Sequence, residues 1–253
     1  MCSSIHEGGA LDEWLERWRD YFVTHYDEAG VEEKVSEAVD FAKQYADHGI
    51  VSVSGGKDSM VLLHIVATRV KPDVLVFHWD HGPYLIPREI EQEILKNIHR
   101  TAPNARTHVE VYSAGSSEKA RTNWRTWYAA FFSTLVSMTK QLNVKYHLLG
   151  IRADESCRRK VRGRVVERKG WTEVYPLYFF TWKDVWAYVF RHSVLVPRVY
   201  FSYAKLLGWR NVRLVTFFDK EFEKYGSPQL DSVLSWRWKH YRRSGGFSGY
   251  DNG

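Results

Sequence analysis

Six consecutive residues, Ser54, Gly55, Gly56, Lys57, Asp58 and Ser59, put two hydroxyls, two glycines, a cation and a carboxylate into one short turn. Such a turn binds anions when it lies between a strand and a helix. Its backbone N–H groups point inward, and the helix dipole adds partial positive charge. Gly55 and Gly56 allow positive φ and let a ligand approach the backbone closely. Lys57 supplies a mobile cation, and Ser54 and Ser59 supply hydroxyl donors. The expected guest is a polyphosphate. The turn is not a Walker A loop, because that pattern needs a glycine where Val51 stands.

Two further segments place charged groups at predicted strand ends. The first is Trp79-Asp80-His81-Gly82-Pro83, followed by Pro87 and Glu89. Beside a phosphate site Asp80 suits a metal ion or a ribose; before a glycine it suits an ordinary turn equally well. The second runs from Gly150 through Arg152, Asp154, Glu155, Ser156 and Cys157 to Arg159. Arg152 is suited to neutralise phosphate charge in a transition state. Asp154 and Glu155 are suited to a metal that bridges phosphates. The alternative is a solvated charged loop. His64, His78, His99 and His147 lack metal-ligand spacing, and core or surface roles are expected for them.

The elements that must hold these residues follow from hydrophobic periodicity. Residues 11–26 and 31–47 read as amphipathic helices, with Gly49 as a stop for the second. Residues 50–53 read as a buried strand that enters the glycine turn, and residues 58–69 as the helix that leaves it. Strands are then expected at 74–77, 107–112 and 146–151, and helices at 88–100 and 122–141, with a loop over 113–117. This alternation predicts an α/β fold with a doubly wound, mostly parallel sheet. In such sheets ligands sit beyond the C-terminal strand ends, where all three segments begin. A short strand at 174–177, a helix at 181–191 and helical pattern over 198–238 come next, and a mobile tail is expected at 244–253. The division expected is a helical extension over 1–29, a nucleotide domain over 30–195 and a helical region with tail over 196–253.

The chain of 253 residues is 44% hydrophobic and 26% charged, ordinary globular material. It has no apolar run of membrane-spanning length and no secretory leader, so a cytoplasmic protein without a membrane partner is expected. Two cysteines, Cys2 and Cys157, cannot make a disulfide framework or a four-cysteine metal site. Net charge is +6, and residues 158–169 carry seven basic residues against the single acid Glu167. That segment reads either as a contact for nucleic-acid backbone or as a flexible solvated loop over the site. A second basic and aromatic cluster, Trp236 to Arg243, suits base stacking or a packed helix end. Cys157, among arginines, reads as a sulfur carrier or, more simply, as a loop cysteine.

The glycine turn resembles the PP-loop of the ATP pyrophosphatases. With Asp80-x-Gly82, Pro87, Glu89 and Gly150-x-Arg152-x-x-x-Ser156-x-x-Arg159, the order and spacing are similar to the PAPS reductase-like branch of that superfamily. The segment Pro176-Leu177, then Trp182, Asp184, Trp186 and His192, is similar as well. The likeness covers roughly residues 45–200. It implies that Ser54, Gly55, Gly56, Lys57, Asp58 and Ser59 cradle the phosphates of ATP and that Asp80, Gly82 and Gly150 lie near the nucleotide. It also implies that Lys57, Asp58, Arg152 and Arg159 serve catalysis, that Asp58, Asp80 and Asp154 hold Mg²⁺, and that Trp182, Asp184 and Trp186 pack the wall of the site.

The chain departs from the branch in its cysteines. Reductases of this kind use a cysteine near the C-terminus, and here none follows Cys157. Where relatives show Gly-Cys-x-x-Cys, this chain has Gly208-Trp209-Arg210-Asn211-Val212. Neither an iron–sulfur cluster nor a thiol-based reductase is expected. The resemblance then implies ATP cleavage to AMP and pyrophosphate, with adenylation of an acceptor. The basic surface favours a nucleic-acid acceptor, as in DNA phosphorothioation or tRNA thiolation, with sulfur brought by a partner such as a cysteine desulfurase. A small phosphorylated acceptor of the flavin type is the alternative. An ATP-gated nucleic-acid-binding subunit is the non-enzymatic one. A homodimer is compatible with all three.

Overall fold

The computed structural model describes residues 6–82, 88–112, 124–212 and 214. The expected loop at 113–117, the cluster Trp236 to Arg243, the tail at 244–253 and Pro87 lie outside the described residues, as do residues 215–238 of the helical pattern expected over 198–238.

The sheet has six strands: β1 (Gly49–Val53), β2 (Leu75–Asp80), β3 (Arg106–Val111), β4 (Tyr146–Leu149), β5 (Val165–Arg168) and β6 (Trp171–Val174). Their spatial order is β3-β2-β1-β4-β6-β5. Every pairing is parallel except the terminal β5–β6 hairpin. The helices are α1 (His6–Glu28), α2 (Val31–Lys43), α3 (Lys57–Arg69), α4 (Arg88–Thr101), α5 (Trp124–Gln141), α6 (Cys157–Arg162), α7 (Trp182–Arg191) and α8 (Val199–Leu207).

Alternation along the central strands divides the core into two layers. Val51, Val53 and Val76 point to the face covered by α1 to α4, α7 and α8. Ile50, Phe77 and Trp79 point to the other face, covered by α5. The chain therefore changes faces between β3 and β4. The resulting crevice lies between β1 and β4, the position at which doubly wound sheets bind ligands.

Helix α1 belongs to the larger core. Its Phe22 is fully buried and stacks on Phe190 of α7 at 5.5 Å and 7°. Trp14 stacks on Trp209 at 5.2 Å, and Trp186 Nε1 donates to the Trp209 carbonyl at 3.0 Å. The eleven tryptophans of the chain are thus partly spent on fastening α1, α7 and the turn after α8 together.

Several expectations are corrected. Gly49 opens β1 rather than stopping α2, which ends at Lys43 and is followed by a 3₁₀ turn at Ala46–His48. The basic segment 158–169 is not a flexible loop. It forms most of α6 and then β5, paired antiparallel to β6. Its structure is held by committed cations: the Arg164 guanidinium lies 3.7 Å over the Phe41 ring and pairs with Glu37, and Arg168 pairs with Glu173 at 2.9 Å. The strand expected at 174–177 ends at Val174, because a turn begins at Tyr175.

Candidate active site

β1 delivers the chain to the crevice, and the turn at Ser54–Gly56 redirects it into α3. Gly55 adopts φ +77°, and a β-carbon there would lie 2.5 Å from the Ile94 side chain of α4. Only glycine meets both constraints. Ser59 Oγ accepts from the Ser54 N–H at 3.2 Å and donates to the Gly56 carbonyl at 2.9 Å, which closes the turn on itself. Gly56 is the N-cap of α3 and has no side chain with which to cap it. The donors at the start of α3 are left for other oxygens.

β4 brings the second wall. Gly150 passes so close beneath α3 that a β-carbon there would meet the Asp58 backbone at 2.7 Å. Arg152 follows two residues later and is 4% exposed. Its Nε donates to Asp58 Oδ1 at 2.5 Å, while Lys57 Nζ donates to Asp58 Oδ2 at 2.9 Å. Arg152 also pairs with Asp154, whose other oxygen accepts the Trp182 N–H at 2.8 Å and so ties the loop to α7. Glu155 accepts from the Arg152 N–H and pairs with Arg159. Burial would raise the Asp58 carboxyl, but Lys57 and Arg152 outweigh it and hold the pKa below the usual aspartate value. Burial likewise works against the Arg152 charge, yet Asp58, Asp154 and Glu155 raise its pKa.

A cavity of about 420 Å³ opens beside this network, lined in part by Ser54, Gly56, Asp58, Ser59, Gly150 and Arg159, while Lys57 and Arg152 are buried and do not line it. Its far wall is aromatic. Trp127 of α5 stacks with His81, at 5.5 Å and 8°, and with Phe131, at 5.4 Å and 1°, with Trp79 edge-on. Burial, and then the neighbouring His78, push the His81 pKa down to about 4, so the ring is neutral at physiological pH. His81, Trp127 and Phe131 escaped the sequence reading. The aromatic richness of the fifth helix was visible, but not that it reaches over the strand ends from the opposite face.

The structure does not bring all the expected residues together. Asp80 receives a bidentate Arg88 at 2.7 and 2.8 Å and the Gly82 N–H at 2.7 Å. Burial raises its pKa, but the Arg88 and Gly82 bonds outweigh this and lower it. Asp80 and Gly82 thus shape the end of β2. Glu89 lines an outer groove on the other side of α4. Trp186 and Asp184 are buried away from solvent. Asp184 caps α7 through the Thr181 N–H and pairs with Lys34 at 2.7 Å. His78 donates from Nδ1 to the Val53 carbonyl at 2.7 Å and pairs with the buried Glu91, a brace beneath the glycine turn.

Asp58, Asp80 and Asp154 do not form one metal centre. Each is committed to an arginine or lysine, and among the described residues no group of three or more His, Cys, Asp or Glu side chains is arranged to hold a metal ion. The three aspartates therefore do not share one magnesium site. Cys157 is exposed at the start of α6.

A doubly wound sheet with a glycine turn, a buried Lys–Asp–Arg network and a cavity at its switch point is the α/β fold of the PP-loop superfamily. Residues 48–247 match the phosphoadenosine phosphosulfate reductase domain, and the chain belongs to that family. It is 23% identical over 188 residues to an adenosine 5'-phosphosulfate reductase of Bacillus mycoides, covering 71% of this chain and 79% of that protein. The U34-tRNA thiolase NcsA from Methanococcus maripaludis, solved with its [4Fe-4S] cluster, superposes with a TM-score of 0.53 at 10% identity, over 89% of this chain and 79% of that one. The FMN adenylyltransferase of Candida glabrata, in complex with FMN and the ATP analog AMPCPP, superposes with a TM-score of 0.50 at 13% identity, over 76% of this chain and 68% of that one. These two likenesses show the shared fold. The family and its structural neighbours are enzymes. Two cysteines in this chain fall short of the four thiolates that usually hold a [4Fe-4S] cluster.

Proposed function

We propose that the chain cleaves ATP between the α and β phosphates and transfers the adenylyl group to an acceptor. The observation that carries this reading is the meeting of Lys57, Asp58 and Arg152 at the start of α3, where Asp58 and the glycine turn line a cavity whose other side is an aromatic wall. The turn and α3 take the phosphates. Asp58 holds Lys57 and Arg152 in place before the substrate arrives, so little reorganisation is needed when charge develops. As an acceptor oxygen bonds the α-phosphorus, the bond to the bridging oxygen breaks and its electron pair leaves with pyrophosphate. Lys57 and the α3 dipole then neutralise the charge gained by the leaving group. Magnesium would enter as part of the substrate, on the phosphates of ATP.

The acceptor we infer is a nucleic acid, thiolated with sulfur from a partner protein as in DNA phosphorothioation or tRNA thiolation. Support comes from the net charge of +6 and from exposed Lys160 and Lys169 on α6 and at the end of β5. Sulfonucleotide reduction is disfavoured because Trp209 and Val212 stand where the resemblance places a cysteine pair. The aromatic wall favours a second reading, adenylyl transfer to a small flat phosphorylated acceptor. The test is product analysis of α-labelled ATP with magnesium, with and without DNA, tRNA or FMN, and with Lys57→Ala as control. AMP and pyrophosphate, lost in the variant, support the reading, and the acceptor that stimulates release identifies the class. ADP as product, or turnover indifferent to Lys57→Ala, overturns it.

A further inference from the structure

We propose that Tyr200 of α8 stands in for a phosphate oxygen at the start of α3 and must be displaced when the nucleotide binds. The inference rests on the nucleotide reading of this cavity. Tyr200 is 143 residues from the glycine turn in sequence, and its hydroxyl accepts the Lys57 backbone N–H at 3.2 Å in a buried contact. The same oxygen accepts the Leu214 N–H at 2.9 Å. A β-carbon added to Gly56 would lie 3.3 Å from it, so the hydroxyl lies against the N-cap residue itself. Both Tyr200 and Leu214 line the nucleotide cavity.

The physical argument is competition for one donor. The first N–H groups of a helix have no partner within it, and Gly56 cannot supply one. An oxygen that accepts a backbone N–H bond at a helix start does what a phosphate oxygen does there. A neutral phenol gains less than an anion from the helix dipole. A phosphate therefore replaces it, and the ring must withdraw from Lys57. Tyr200 is 2% exposed and packed edge-on against Trp186 at 5.8 Å, so its withdrawal disturbs α8 and frees the Leu214 N–H. Nucleotide occupancy is thereby transmitted to the chain beyond α8. Tyr200 acts as a positioning residue: it keeps the cradle preformed and sets the affinity at which phosphate enters.

Two measurements on the full chain decide this. In calorimetric titration with pyrophosphate, Tyr200→Phe keeps the ring and removes the competing oxygen. Binding is expected to tighten about 2- to 10-fold, the worth of one net hydrogen bond. A merely structural role would weaken binding or leave it unchanged, and either result overturns the proposal. In the wild-type protein, hydrogen exchange at the Leu214 amide should speed up on adding pyrophosphate; unchanged or slower exchange overturns the proposal without any variant. If wild type and Tyr200→Phe both fail to bind pyrophosphate, the nucleotide reading fails with it. Tight wild-type binding with no response at Leu214 sinks the Tyr200 role alone.

Discussion

Arg152 Nε donates to Asp58 Oδ1 at 2.5 Å across 94 residues of sequence, joining the loop after β4 to the first turn of α3. Breaking a buried pair on one side leaves the other charge uncompensated, at a cost of about 3–5 kcal/mol. Arg152→Met should therefore lower stability by roughly 3 kcal/mol in urea unfolding, because Asp58 keeps only Lys57. Arg152→Lys should recover part of the stability but little ATP cleavage, since an ammonium cannot span Asp58 and Asp154 together. A loss under about 1 kcal/mol for Arg152→Met would show that the pair does not hold the two walls.

Gly150 sets how closely those walls approach. Gly150→Ala puts a methyl 2.7 Å from the Asp58 backbone, and backbone cannot yield as a flexible side chain does. The variant should lose about 1–3 kcal/mol of stability, the usual cost of overpacking, together with pyrophosphate binding. Thermal melting and calorimetry would check both, and an unaltered binding constant would count against the contact.

The aromatic wall should act on a flat ring and not on phosphate. Trp127→Ala removes one ring of the cavity's aromatic wall, the one that contacts both His81 and Phe131. ATP or acceptor affinity should fall by a factor on the order of 10, at about 1–3 kcal/mol per stacked ring. Pyrophosphate affinity should hold, and equal losses for both ligands would mean that the wall only supports the fold.

His147 is buried in the smaller core layer and faces Thr139 Oγ1 at 2.9 Å. Burial pushes its pKa down to about 4, with Glu173 opposing the shift. The folded value lies below the unfolded one, so this contribution is complete above about pH 6.5 and is lost as pH falls toward 4. Between pH 7 and 5 the wild type should lose about 2 kcal/mol more than His147→Gln. Urea midpoints at the two pH values measure this, and parallel losses in both proteins would contradict it. His64, also lowered to about 4 by burial and by His192, adds to the same window in both proteins.

Nucleic-acid binding, if it uses the basic end of the sheet, should depend on exposed Lys160 and Lys169. The double Lys→Ala variant should weaken binding of tRNA and duplex DNA alike and reduce the log–log salt slope by about two, one per lost phosphate contact. ATP cleavage without nucleic acid should not change. An unaltered salt slope would move the docking surface elsewhere.

Much of this was legible in the chain. Strand and helix periodicity, read with the glycine turn, produced the doubly wound sheet and the family, because local spacing alone places a strand, a turn with positive φ and a helix start in succession. Residues 54–59, Gly150 and Arg152 could be picked out for the same reason. Their chemistry is carried by residue type over a few positions. Asp80 was ambiguous because a turn aspartate and a metal ligand look alike until the partner is seen, and that partner is Arg88. The basic segment looked mobile because charge density hides its hairpin pairing with Trp171–Val174.

What the amino-acid order determined by itself is the cradle: two glycines, a lysine and two serines between a strand and a helix. What only the tertiary structure decided is what surrounds it. Trp127 arrives from the opposite face, Arg152 from the neighbouring strand and Tyr200 from a helix 143 residues away. Such contacts depend on sheet order and on the side to which each crossover falls. Those are set by the summed packing of two core layers, not by any local pattern of residues.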